Sequence, residues 1–457
     1  MVDVLLPRPG DRRHGALDEP PRRRDSRLCR PARRRAQGGE PVVTTAAPAD
    51  ANTALIRWGS FYGDSDFELT FPAGWDVNVH EPAGGDDIGE DGIAAAFDNP
   101  IGSPPIRELA RGKRSACIVV DDLTRPTPAS RLAPRVIEEL LEAGIEANSI
   151  LILAGVANHR QMTREDFVLK VGEEVASNYE LRSHFSWANC DFVGETSRGT
   201  PIHLNSEFLA AEVRILIGSI VPHNKTGFSG GAKLVLPGVA HIDTAAAWHG
   251  PEGPTTGLVE TASESRLDAE EAARLAGVDC IVNVIPNIQR GIAGLVVGDL
   301  VEAHRAGVEI ARRTYTTKLP AGVDVCVLSS YPKDAEYQQT GRGFHPILTA
   351  AEPIVRPGGT IILAGSTVEG AGFHSLYGRG MAFYGGGGGR SFDGEPDLVY
   401  FMPGLHRNGL PPGARDRIVL LHEWSEVERW LRDKHGAAAS VAVFPAATIQ
   451  LAEEVCV

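Results

Sequence analysis

No apolar run in this chain approaches the length that crosses a bilayer, so no membrane-spanning helix is expected. Cysteine is sparse and scattered. Its six positions (Cys29, Cys117, Cys190, Cys280, Cys326 and Cys456) include no CxxC pair, which excludes a zinc knuckle or a disulfide framework. Several lie in apolar runs, where cysteine serves as a small core residue, and a reducing cytoplasm is the expected location. Basic residues are outnumbered by acidic ones, 45 to 59, for a formal net charge of −14, and that balance argues against nucleic acid as a partner. No repeat of solenoid type is present.

The chain is long for a single core at 457 residues, which suits two or three domains. Arginines cluster at Arg22 to Arg24 and Arg33 to Arg35 among prolines and few large apolar side chains. No hydrophobic segment follows them to make a secretory signal. Residues 1–45 are therefore expected to be a disordered Arg/Pro-rich extension. Two α/β domains are expected after it, over 46–270 and 271–457.

Ser115 to Val120 is a short run of β-branched residues and reads as a buried strand. It leads into Asp121-Asp-Leu-Thr-Arg-Pro-Thr-Pro128, a polar loop stiffened by proline, and then a helix over Leu132 to Ala143. The unit repeats with strand Ser149 to Ala154, exit loop Gly155 to Arg160, and a helix capped by Thr163 with Asp166 at the capping-box position. Val213 to Ile217 is a further strand. Loops at the strand C-termini carry function in parallel α/β sheets, so Asp122, Arg125 and His159 are expected along one edge. Further on, the pattern predicts strand Val278 to Ile285, helix Leu300 to Arg313, strand Val323 to Ser329, helix Ile347 to Val355, strand Thr360 to Ala364 and helix Ser425 to His435. The expected fold is α/β, two domains with mostly parallel, Rossmann-like sheets. His184 and His203 fall in loop or edge strand and are given no role.

The densest chemistry lies between Gly218 and Gly250, after the strand at 213–217. Gly227, Ser229, Gly230, Gly231 and Lys233 form a loop in which bare N–H groups, a hydroxyl and an ammonium suit an anion. The glycine spacing is neither a Walker A loop nor GxGxxG. His223, His241 and His249 flank it, each able to bind metal or move a proton.

DDLTRPTP at 121–128, the loop ending in His159-Arg160, and PHNKTGFSGGAKLVLPG ending at Trp248-His249 together resemble lactate racemase, the nickel-pincer-nucleotide family of 2-hydroxyacid racemases and epimerases. The resemblance runs from about Trp58 to the C-terminus. It implies a site in the interdomain cleft, cofactor-synthesis enzymes as partners, and hydride transfer to a nickel-pincer nucleotide. It also implies residue roles. Lys233 carries the cofactor through a thioamide link, His249 binds nickel, and the Gly227–Gly231 loop holds the nucleotide phosphate. His159 and His223 are the acid/base pair, Arg125 holds the substrate carboxylate, and Asp122 supports that loop. Tyr337 and Gln338 close over the substrate from the second domain. Members acting on lactate carry a lysine three residues after that glutamine. Counted from Gln338, the position is Gly341, with Arg342 beside it as a substitute. A remodelled pocket and a substrate larger than lactate are then expected.

Two other readings remain open from the residues. One is a cofactor-binding protein without turnover. The other is a metal-dependent hydrolase using His223 and His249, with His241 as a third ligand.

Overall fold

A computed structural model of the chain describes residues 51–249, 263–384 and 392–453. The extension expected over 1–45 lies outside these residues, as do the loop expected at 251–257 and the glycine run 385–389. Among the described residues no helix is long and apolar enough to cross a membrane.

Two six-stranded sheets organise the fold. The first runs in the order Ile292–Gly298, Cys280–Pro286, Val213–Ser219, Ala116–Asp121, Ile150–Gly155, Glu180–Ser183. Only the pair Cys280–Pro286 and Ile292–Gly298 is antiparallel. Ala116–Asp121 is buried at every position, as a parallel strand covered on both faces must be. Side chains alternate between those faces. Ile118 and Val120 join Ile152, Ile215 and Val282 under the helix Ala129–Glu142, whereas Cys117 and Val119 join Leu153, Leu216 and Ile281 against Leu234 and Leu236.

The second sheet is wholly parallel, in the order Ile418–Leu421, Asp397–Phe401, Val355–Ala364, Val323–Ser329, Ser440–Phe444, Asp76–Val79. Its last strand comes from the start of the described chain. The hairpin Ala51–Trp58 and Ser65–Pro72 packs there too, with Ile56, Leu69 and Phe71 against Val327, Phe401 and Val441.

These memberships move the expected boundary. Strands Cys280–Pro286 and Ile292–Gly298 complete the first sheet and Glu302–Tyr315 packs on it. The chain therefore leaves the first half after residue 315 rather than at 270, and residues 51–79 belong with the second. The helix expected over Ile347 to Val355 is confined to His345–Thr349. Val355 already belongs to a strand. Pairing jumps from Val323↔Val355 to Val325↔Thr360, so Arg356-Pro-Gly-Gly bulges out of the ladder where proline has no N–H to give.

Topology fixes where the chemistry gathers. In the first sheet the strand order reverses between Ala116–Asp121 and Val213–Ser219, and the crevice at such a switch point, beyond the strand C-termini, is where α/β sheets bind ligands. The second sheet reverses in the same way between Val323–Ser329 and Ser440–Phe444.

Candidate active site

The loop after Ala116–Asp121 is held from beneath by a lysine. Lys170, fully buried on the helix Arg164–Val171, reaches Asp121 Oδ1 at 2.5 Å and donates to the carbonyls of Asp122 and Arg125 at 3.0 Å each. Thr127 Oγ1 donates to the other Asp121 oxygen at 2.5 Å. That helix begins with the capping box expected at Thr163 and Asp166.

So anchored, Asp122 faces His159. Its Oδ2 lies 2.6 Å from His159 Nδ1, and Oδ1 accepts from Thr124 N and Oγ1 at 2.8 and 2.5 Å. Burial pushes the Asp122 carboxyl up, but His159 and Arg125 outweigh it and hold the group below the usual carboxylate range. An ionised Asp122 fixes the His159 proton on Nδ1 and leaves Nε2 as a lone pair. Gln339 Nε2 donates to that nitrogen at 3.1 Å, and Gln339 Oε1 accepts from Arg125 Nη1 at 3.3 Å. Arg125 also donates to Thr124 Oγ1 at 2.7 Å. No carboxylate pairs with it among the described residues.

Lys233 sits on the turn Gly231–Leu234, which follows the glycine-rich loop. Its Nζ is 3.1 Å from His223 Nε2 and 5.1 Å from the centre of the Trp248 ring. The N–H of Lys225 donates to His223 Nδ1 at 3.1 Å, which places the ring proton on Nε2, facing the amine. Burial, then the charges of Arg125, Arg266, Arg342 and Lys333, hold Lys233 well below the ordinary lysine value. Burial also lowers His223, with Lys233 next in effect. Both groups of the pair are thus pushed toward their neutral forms. Lys233, His159, Asp122 and Arg125 line one cavity with Ser229 and Gly230.

The glycine-rich loop is a platform for Lys233 more than a cradle of open N–H groups. Ser229 Oγ donates to Ser219 O at 2.7 Å and accepts from Val221 N at 3.1 Å. The N–H of Gly231 is taken by Asn283 Oδ1 at 2.6 Å. Arg266, wholly buried, binds the carbonyls of Phe228 and Gly230, and His304 Nε2 binds that of Ser229 at 2.9 Å. Gly230 has φ +79°, and a Cβ there would stand 2.6 Å from Asn283 Oδ1. Gly227 and Gly231 also have positive φ. The hydroxyl and N–H expected to meet a phosphate at Ser229 and Gly231 are thus engaged within the protein.

His249 ends the helix Ile242–Trp248. Its Nδ1 donates to Ala245 O at 2.7 Å, which leaves Nε2 as the donor nitrogen that metal ligation requires. Burial lowers it to about 3, so it is neutral at any ordinary pH. Its ring stands edge-on to Trp248, the ring beneath Lys233. Soft or imidazole donors of this kind suit nickel, and a Lys233 amine pushed toward its neutral form suits a covalent acyl-type link, so these two residues fit a bound metal-nucleotide group. His241 caps its helix by accepting from Asp243 N at 3.2 Å. Among the described residues no three His, Cys, Asp or Glu side chains converge as a metal centre.

The second half closes the other side. The glutamine that meets His159 and Arg125 is Gln339, one residue later than the Gln338 read from the sequence. Successive residues of a helical turn point about 100° apart, so Tyr337–Thr340 cannot send both inward. Tyr337 packs instead against the second-half core and the Tyr400 ring. The position three residues after Gln339 is Arg342, not Gly341. The charge of Arg342 acts on His223, Lys233, His249 and His374. Gly341 itself leaves open space, since a Cβ added there would meet nothing within 4 Å.

Several neighbours carry no signal in the sequence. His374 lies between His159 and His249, ring centres 5.5 and 6.5 Å away. Burial raises Glu336 to about 7. Arg160 joins the halves by donating to Glu369 at 2.7 and 2.6 Å. Lys170, Asn283 and Arg266 were missed because each is distant along the chain from the group it positions.

A family model described as the lactate racemase N-terminal domain matches residues 62–253. A lactate racemase of Lactiplantibacillus plantarum is 32% identical over 294 residues, 62% of this chain and 68% of that one. One from Thermoanaerobacterium thermosaccharolyticum is 31% identical over 296 residues, 63% and 68% of the two chains. The lactate racemase apoprotein structure from the latter organism matches with a TM-score of 0.68 at 21% identity, covering 88% of this chain and 100% of that one.

Proposed function

The chain belongs to the lactate racemase family, and on that premise we propose that it racemises or epimerises a 2-hydroxyacid with a nickel-pincer nucleotide held by Lys233 and His249. The observation that carries this is the convergence of Asp122–His159, Arg125 and Lys233 on one cavity, with His223 against the Lys233 amine. We place the reaction in the cytoplasm, with cofactor-synthesis enzymes as the source of the bound group.

A C–H beside a hydroxyl is not acidic enough for easy proton removal. When bound, the nickel-pincer nucleotide supplies a hydride route that avoids a carbanion. The protein's own residues handle charge and protons. Arg125 binds the substrate carboxylate in the two-pronged manner that guanidinium allows. His159, in the tautomer set by Asp122, takes the hydroxyl proton at Nε2, and the ionised Asp122 stabilises the imidazolium. The resemblance assigns His223 to the hydroxyl of the other enantiomer, a role that needs the other tautomer, with Nε2 free of the proton it holds beside Lys233. Gln339 ties Arg125 to His159, so carboxylate binding and proton transfer share one frame. We take the substrate to be larger than lactate, because Gly341 leaves open space where a side chain would stand.

The test is protein co-expressed with cofactor-synthesis enzymes, examined by intact mass, nickel content, visible absorbance and chiral chromatography. Nickel, an added mass at Lys233 and equilibration of either enantiomer are expected. Cofactor bound without turnover of any hydroxyacid would favour a binding protein. Zinc without added mass, together with hydrolysis, would favour the hydrolase.

A further inference from the structure

Resting on the reading above, we propose that His374 is a further catalytic residue, whose Nε2–H donates to the C2 oxygen of the substrate as that oxygen becomes a carbonyl. His374 is partly buried, on a second-half segment that crosses to the first half. Ser375 pins it there. The Ser375 N–H donates to Asn158 O at 2.7 Å and its Oγ donates to Asn158 Oδ1 at 3.2 Å, so Asn158-His159 and His374-Ser375 lie side by side. Leu376, buried, packs on Ile242 and Ala245 of the helix that ends in His249. The His374 ring consequently stands edge-on to both histidines, its centre 5.5 Å from that of His159 and 6.5 Å from that of His249.

Its tautomer is set locally. His374 Nδ1 accepts from the N–H groups of Leu376 and Tyr377 at 3.2 and 3.3 Å. A ring nitrogen that accepts carries no proton, so the proton is on Nε2. Among the described residues no hydrogen bond takes that N–H. The three imidazoles then differ in kind. His159 and His249 present lone pairs at Nε2, one for a proton and one for a metal, whereas His374 presents a donor. A side chain used only to close a turn needs no second nitrogen, and asparagine closes such turns as well. In the hydride route the C2 hydroxyl gives its proton to His159 and becomes a carbonyl, which accepts but cannot donate. Arg125 is committed to the carboxylate, and the Gln339 amide is given to His159. A fixed N–H beside the base stabilises the carbonyl oxygen of the 2-ketoacid with no reorganisation when it forms.

The experiment compares His374→Asn with His374→Gln. The asparagine amide reaches as far as Nδ1 and can still close the turn, whereas the glutamine amide reaches as far as Nε2 and can still donate. Calorimetry on the apoprotein sets pyruvate against propionate, which differ only at C2, carbonyl against methylene. Pyruvate should bind roughly 10-fold tighter, with the difference lost in His374→Asn and kept in part by His374→Gln. Equal or unmeasurable binding of the two acids to the wild type would overturn the proposal. In the loaded enzyme, kcat for L-2-hydroxybutyrate should fall roughly 10- to 100-fold in His374→Asn, with KM changed less, and His374→Gln should recover much of the rate. Nickel content and added mass should be the same in all three proteins. An equal loss in both variants would make the ring structural, wild-type rates in His374→Asn would make it a turn former, and loss of nickel would assign it to the metal; each overturns the proposal. A pyruvate preference that His374→Asn abolishes, in a protein that takes up no nickel and racemises no hydroxyacid, would keep His374 as a carbonyl receptor and remove the racemase reading instead.

Discussion

The Nζ of Lys233 lies 3.1 Å from Nε2 of His223, amine against imidazole, with no carboxylate among the described residues to pair with either. Lysine is seldom kept uncharged in a folded protein, because water and acidic neighbours favour the ammonium. Here burial and four surrounding cations oppose it. An unprotonated amine is a nucleophile, and that is the state a covalent cofactor link requires.

Lys233→Arg keeps a long basic side chain but cannot be deprotonated. Protein made with the cofactor-synthesis enzymes should carry no added mass, and racemisation should fall to background. Intact-mass analysis checks this directly. A Lys233→Arg variant that still acquires the mass would place the link elsewhere.

Asp122→Asn removes the charge behind His159 while keeping the shape. A loss of about 10²- to 10⁴-fold in kcat is expected, with KM little changed. Stability should respond to pH as well. The native Asp122 carboxyl titrates below its unfolded value, so it stabilises the fold above the ordinary carboxylate range, and that contribution is lost as pH falls through the native value. Urea unfolding at pH 5 and pH 3 should show a smaller drop in the variant than in the wild type.

Gln339→Leu and Gln338→Leu form a matched pair. The first leaves Arg125 and His159 without their shared partner and should cost about 1–3 kcal/mol in the transition state, roughly 5- to 150-fold in kcat/KM. The second should change little. Steady-state rates on the same substrate decide which glutamine belongs to the site.

Lys170→Met leaves the Asp121 carboxylate buried without its ammonium, which lies 2.5 Å away in the wild type. Breaking a buried pair in this way should destabilise the protein by about 3–5 kcal/mol. Denaturant unfolding measures it, and a shift under about 1 kcal/mol would mean that the loop is held by other contacts.

Much of this site could be read along the chain because its parts lie where strands end. Buried β-branched runs gave away the strands at Ala116, Ile150, Val213 and Val323, and the loops after the first three hold Asp122, Arg125, His159 and His223. Tertiary pairing was not readable. Nothing local marks Asp76–Val79 as the edge of a sheet whose neighbour is Ser440–Phe444, nor Lys170 as the prop beneath Asp121. The glutamine register failed for a local reason. Tyr337-Gln-Gln offers two candidates one residue apart, and only the phase of a four-residue helix selects between them.

The edge strand Asp76–Val79 also sets an order of assembly. On a ribosome, all six strands of the first sheet exist once residue 298 has been added, whereas the second sheet then has only this strand. Its other five begin at Val323. Leu69, Phe71 and Trp75, which end up against Val325 and Val327, spend most of synthesis without the surface that covers them. The nascent chain thus carries an apolar hairpin whose covering sheet is not yet made, a stretch open to intermolecular contact until the last third of the chain is added.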